Sequence, residues 1–344
     1  MPSLRRLRGP GTFLVAGALV AASCGSSPAA PSRPAASPTT RPPASTASPS
    51  SAPSTPTGLD ATTEAWRLPA PVSRPVVVPY GPGFVILGGL APGDVSTDRV
   101  VQVDPATGSA QAVGTLPLAV HDSAGAAIGG RAFAFAGGSF STISTVQAWS
   151  AAGGAEVGHL PQPRSDLTAV TAGTTTYVLG GFNGSTMDAD VLATSDGVTF
   201  RPVATLPVPV RYAAAAYADG ALWVIGGVTS TSESGAAETT AIQRIDPASG
   251  RAAVVGHLPA PLGHATAVTL GGTVFVLGGR SASAPSAAIW RLQPAGATVV
   301  PAGHLPQAVS DAGSVVVGGT AYLVGGEVSG PTAPLDTVVA LRPH

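Results

Sequence analysis

Short apolar runs punctuated by glycine set the pattern of this chain. Six of them end in Gly-Gly: Phe84 to Gly89, Ala132 to Gly138, Thr176 to Gly181, Leu222 to Gly227, Val274 to Gly279 and Ala321 to Gly326. From each second glycine to the next the chain counts 49, 43, 46, 52 and 47 residues, the period of four-stranded propeller blades. A Leu-Pro dipeptide runs in phase, beginning at Leu68, Leu116, Leu160, Leu206, Leu258 and Leu305. Between the markers, small residues such as Tyr212-Ala-Ala-Ala-Ala-Tyr lead through a turn such as Asp219-Gly220 into a run such as Leu222-Trp-Val-Ile. This predicts a hairpin. Its first strand lies near an axis where six strands converge and only small side chains fit, and its second is β-branched and aromatic. After each Gly-Gly the pattern predicts a variable loop, a third strand, a turn such as Asp104-Pro-Ala-Thr-Gly or Asp246-Pro-Ala-Ser-Gly, and a fourth strand running into the next Leu-Pro.

The last repeat ends on its third strand, Asp336 to Leu341, while Thr63 to Arg67 stands as an orphan fourth strand before the first Leu-Pro. The two are expected to complete one blade, which ties the chain ends together and removes open sheet edges. The fold class that follows is all-β: a six-bladed propeller over residues 61–344, its last blade closed by an N-terminal strand.

The Gly-Gly after strand two and the Asp-Pro turn between strands three and four resemble the Kelch repeat, over about residues 62 to 344. The tryptophan usual in strand four of that family survives only in Trp66-Arg-Leu-Pro. The resemblance implies a Kelch-type propeller, a scaffold that serves as a binding module and also hosts sugar oxidases and sialic-acid mutarotases. The copper oxidases depend on a cysteine cross-linked to tyrosine, and this propeller segment contains no cysteine.

The N-terminus changes the picture, because Arg5, Arg6 and Arg8 precede an apolar stretch from Phe13 that is too short to span a bilayer. Residues 1–23 read as a signal peptide. Ala21-Ala22-Ser23-Cys24 resembles the lipobox of bacterial lipoproteins, although Ala21 stands where leucine is usual, and Cys24 is the single cysteine of the chain. A thioether-linked lipid on Cys24 would anchor the protein to the outer face of the cell membrane. Residues 24–60 consist almost wholly of Ser, Pro, Ala and Thr, too polar to form a core. As an extended tether this segment reaches on the order of 100 Å at about 3.1 Å per residue.

The chain has 344 residues, a net charge of −1 and only 10% charged residues. No global field attracts nucleic acid. All 17 basic residues are arginine, which fits GC-rich coding better than phosphate recognition. The sequence lacks a nucleophile elbow, a phosphate loop and HExxH. His159, His257 and His304 precede Leu-Pro in three different blades, too far apart to share a metal. Asp188 and Asp190 read as a solvated loop, and Val228 to Thr240 is the longest insertion and a natural contact surface.

Six residues past each Leu-Pro leucine stand Arg74, Asp122, Asp166, Tyr212, His264 and Asp311. His121 and Arg211 precede two of these, and Arg164 lies two before Asp166. Opening the innermost strands, they are expected at one mouth of the central channel, as a ligand or partner site or as a structural ring of Asp and Arg pairs. The reading that follows is a monomeric, lipid-anchored extracytoplasmic module that binds an envelope protein or cell-wall glycan and needs no cofactor or metal. The alternative, from the resemblance, is a mutarotase in which Asp122, Asp166 or Asp311 handles protons and Arg74 or Arg211 holds a sugar carboxylate.

Overall fold

The computed structural model of the protein describes residues 27, 29 and 55–344, apart from 233–236, 283, 296 and 330–332. Cys24, the leader and most of the Pro-rich segment lie outside the described residues. The described chain is all-β and forms a six-bladed propeller. Blade 4 shows the plan: Ala214–Ala218, Ala221–Ile225, Ala241–Ile245 and Ala252–His257 pair antiparallel in sequence order, from the axis outward. The innermost strands of the six blades begin at Val76, Ala124, Thr168, Ala214, Thr266 and Gly313, and each packs against its neighbours to close the ring.

Small residues on those strands are a steric demand. A Cβ on Gly125 would overlap Val76 of the neighbouring blade, and one on Gly313 would overlap Val77. The core is correspondingly divided into six clusters, each straddling two blades. Leu87 and Val85 of blade 1, for example, pack against Ala132, Ala134 and Trp149 of blade 2. No blade buries its faces alone, so the ring is the folding unit.

The pair that ends strand two adopts positive φ, as in Gly88 and Gly89 at 62° and 106°. Blade 2 departs from the sequence reading by one residue. There Ala136 and Gly137 hold these angles, at 55° and 113°, and Gly138 lies beyond the turn, paired with His121.

The last blade is closed by an N-terminal strand, as expected, but the strand is Leu59–Thr63 and not Thr63 to Arg67. It pairs antiparallel with Val338–Pro343, from Leu59 opposite Pro343 to Thr63 opposite Val339. Glu64 then bonds to Val338 and Leu68 to Asp336, so the chain advances four residues on one side for two on the other; Arg67 is left exposed while Trp66 packs on the core between blades 6 and 1. The strand begins on the side of the ring opposite the Gly-Gly turns. There the Thr57 N–H donates to the His344 carbonyl at 2.8 Å, and buried Pro56 lies beside Gly271 in a hairpin turn.

Candidate functional site

The six positions counted from Leu-Pro meet at one mouth of the channel. Each adopts a left-handed backbone: φ is 52° at Arg74, 50° at Asp122, 59° at Asp166, 53° at Tyr212, 56° at His264 and 56° at Asp311. The residue before each pairs with the residue after the Gly-Gly-type turn of its own blade, as Ser73 with Leu90 and Arg211 with Val228. The left-handed step then lets the N–H of one ring residue reach the carbonyl of the preceding one. Asp166 bonds to Asp122, Tyr212 to Asp166, His264 to Tyr212, Asp311 to His264 and Arg74 to Asp311, at 2.7 to 3.0 Å.

Above this backbone girdle the side chains form one network spanning all six blades. Arg74 donates through Nη1 to Asp122 Oδ2 at 3.1 Å and to the Tyr212 hydroxyl at 3.2 Å. Its Nε donates to Glu327 Oε1 at 3.1 Å and lies 3.6 Å from Asp311 Oδ1. The Tyr212 hydroxyl donates across the mouth to Asp122 Oδ2 at 3.2 Å, and its ring stacks on His264 at 3.9 Å between centroids. Arg211 Nη1 donates to Asp166 Oδ2 at 3.1 Å, and its guanidinium covers Phe182 and Tyr212. His264 Nδ1 meets Asp311 Oδ1 at 2.6 Å while Nε2 accepts from Arg280 Nη2 at 2.8 Å, which fits the tautomer protonated on Nδ1. His121, at the rim, meets the Ser96 hydroxyl through Nδ1 at 2.8 Å.

The electrostatics follow from burial and pairing. Burial opposes the Arg74 charge, but Asp122, Asp311, Tyr212 and Glu327 outweigh it and raise its pKa above the ordinary value. Burial also opposes ionised Asp311, yet His264, Arg74 and Arg280 hold it below the usual carboxylate range. Asp166 is pushed up to about 7 by burial and by the charge of Asp122, against the pull of Arg211. Glu327 is raised by burial and by Asp311. The Tyr212 hydroxyl is raised well above its ordinary value by burial and by Asp122 and Asp166, which keeps it a donor.

Arg164 does not join the ring. The equivalent residue in the other blades is apolar and buried, namely Val72, Val120, Val210, Leu262 and Val309, because this position faces the blade interior. Arg164 is accordingly 1% exposed, pairs with Asp188 at 3.2 Å and donates to the carbonyls of Gly180 and Asp190. This overturns the reading of Asp188 as a solvated loop residue: it is buried because Arg164 must be neutralised. Arg280 and Glu327, both in the network, were missed. Their signal is their place directly after a Gly-Gly pair. His159, His257 and His304 end the outer strands of three blades, as expected, and His159 and His257 meet only neighbouring side chains such as Ser144, Glu156 and Thr240.

Beneath the ring the channel holds a cavity of about 210 Å³, lined by the six ring residues and by the small residues and hydroxyls that follow them. A second space of about 280 Å³ continues towards the other mouth, walled by residues such as Val78, Ala127, Val170, Tyr217 and Val316. No group of three or more metal-binding side chains occurs among the described residues. Chemically, the mouth is a plug. The guanidinium groups of Arg74, Arg211 and Arg280 each face a carboxylate of the same network, and both nitrogens of His264 are engaged.

Around the plug, the loops after strand two carry exposed apolar side chains. Val95 projects from blade 1 and Phe140 from blade 2, the latter fully exposed. Ser96 bonds to His121, and His121 pairs with Gly138, so the two loops stand side by side at the rim. In comparisons with known proteins, no family model and no curated sequence matches this chain.

Proposed function

We propose that this protein is a Kelch-type propeller, anchored by a lipid on Cys24 to the outer face of a bacterial cell membrane, that binds an envelope protein through the loops around its channel mouth. The observation that carries this reading is the contrast at the mouth. Its charged groups are spent on one another, whereas Phe140 and Val95 stand exposed on adjacent loops of the same rim. A buried mutual network is poor at capturing a ligand, since each partner taken from it leaves a buried charge uncompensated. An exposed aromatic on a rigid scaffold is the usual anchor of a protein interface. The mutarotase alternative draws no support from the mouth, because the arginines it needs for a sugar carboxylate are already engaged.

Two measurements test the proposal. Detergent-phase partitioning of the exported full chain should be lost in Cys24→Ala; unchanged partitioning of the variant would reject the anchor. A photo-crosslinking residue at Phe140 should capture one discrete protein on living cells, with the adduct abolished by Val95→Asp and absent when the probe sits at Asp219. A glycan adduct, or equal capture from both positions, would reject the protein-binding rim.

A further inference from the structure

Six equivalent strand-three positions face the neighbouring blade, and they hold Val101, Gln147, Leu192, Gln243, Trp290 and Val339, each paired with the residue two before the positive-φ turn. Two of these are glutamines with no exposed surface. Each grips both the N–H and the C=O of the residue two past a Leu-Pro leucine of the preceding blade. Leu118 N–H donates to Gln147 Oε1 at 2.7 Å while Gln147 Nε2 donates back to the Leu118 carbonyl at 3.2 Å. Gln243 repeats this on Val208 at 2.9 and 3.0 Å. The protein thus contains two internal copies of one recognition event, a primary carboxamide docked in register on an extended backbone.

Between blades 5 and 6 the same place is open. Val339 stands where the glutamine would be, and a cleft of about 370 Å³ lies between it and the Leu305-Pro306-Gln307 segment, with Arg67 and Thr337 on its walls. The corresponding space between blades 6 and 1 is only about 30 Å³. The backbone enters both settings alike, since Leu305 N–H bonds to Ala287 as Leu206 N–H does to Ala189, each at 2.8 Å. Among the described hydrogen bonds none uses the peptide N–H or carbonyl of Gln307.

From this juxtaposition we infer that the cleft between blades 5 and 6 is a binding site for a primary carboxamide, the side chain of a glutamine or asparagine presented by a partner protein. A primary amide offers its carbonyl and an N–H on the same side, as Gln147 and Gln243 do. A trans secondary amide, such as an acetamido sugar carries, points them in opposite directions and can satisfy only one of the two backbone groups. The site stands apart from the Phe140 rim and does not depend on it or on the lipid anchor.

The test titrates isotope-labelled full-length protein with propionamide and, separately, with N-methylacetamide, following backbone amide resonances. Propionamide should shift Gln307 saturably and bind about tenfold more tightly than the secondary amide, the worth of one added hydrogen bond. Val339→Gln should fill the cleft from within and abolish the response while leaving the Tyr212 and His264 resonances in place. Should that variant fail to fold, Val339→Trp, which places there the residue that blade 5 carries as Trp290, fills the same space with an apolar ring and must also abolish it. Equal binding of the two amides, no shift at Gln307, or a response that survives both substitutions would overturn the assignment, as would N-acetylglucosamine binding as tightly as propionamide.

Discussion

Six side chains of different chemistry stand at the mouth on the same unusual backbone. A left-handed φ costs a residue with a Cβ on the order of 1 kcal/mol relative to glycine. It persists because five of the six steps place an N–H on the neighbouring blade's carbonyl. Arg74 separates the two contributions. Both Arg74→Ala and Arg74→Gly should lose about 3 kcal/mol or more, since Asp122, Asp311 and Glu327 are left without their guanidinium. In urea denaturation the glycine variant should nevertheless be the more stable of the two by about 1 kcal/mol; equal stabilities would mean that the left-handed step carries no strain.

Asp166 gives the mouth a pH dependence of definite sign. Its pKa is about 7 in the folded protein against an ordinary 3.8, so the folded state holds the extra proton between those values. Its stabilising contribution is complete below about pH 4 and declines as pH rises to 7. Glu327, also raised, acts in the same direction, whereas Asp311 is held low and its contribution disappears only as pH falls below the ordinary carboxylate value. Melting temperature should therefore fall from pH 5 to pH 8 in the native chain and fall less in Asp166→Asn. A variant profile parallel to the native one would remove Asp166 as its source. These ring residues were legible in the sequence because a fixed count from Leu-Pro finds them. Arg280 and Glu327 were not, since the same chemistry arrives from the far side of a turn and resembles an ordinary loop charge.

At the scale of elements, the closing strand completes the sixth blade from the other end of the described chain. Leu59 is buried against blades 5 and 6, and its five-residue strand covers the edge of Val338–Pro343. Removing residues 55–63 should cost at least about 3 kcal/mol from lost burial and hydrogen bonds. It should also make the protein aggregate through the exposed edge. A truncated chain that stays monodisperse with an unchanged melting temperature would show that closure lies elsewhere. The existence of this strand was legible from counting strands per repeat. Its position was not, because Trp66-Arg-Leu-Pro resembles the strand end of the other repeats, and nothing local betrays a bulge that pairing with Asp336 and Val338 creates. Ala136 hid the blade 2 turn for a similar reason: it takes a glycine's conformation, so the visible Gly-Gly was out of step by one residue.

Across the whole molecule the repeat carried almost all of the architecture, because period, turn chemistry and small inner strands are local signals repeated six times. What lies between blades was illegible. The open cleft beside Val339 and the glutamine clasps at Leu118 and Val208 depend on which residues of different repeats face each other. The chain also joins the propeller on the side opposite the mouth, at Thr57 and His344. A pull on the chain upstream of Thr57, with the rim held fixed, therefore runs lengthwise along Leu59–Thr63. Under such shear its backbone bonds to Val338–Pro343 share the load together, whereas a sideways pull would open them one at a time. The weakest-looking junction of the ring is thus oriented to bear tension.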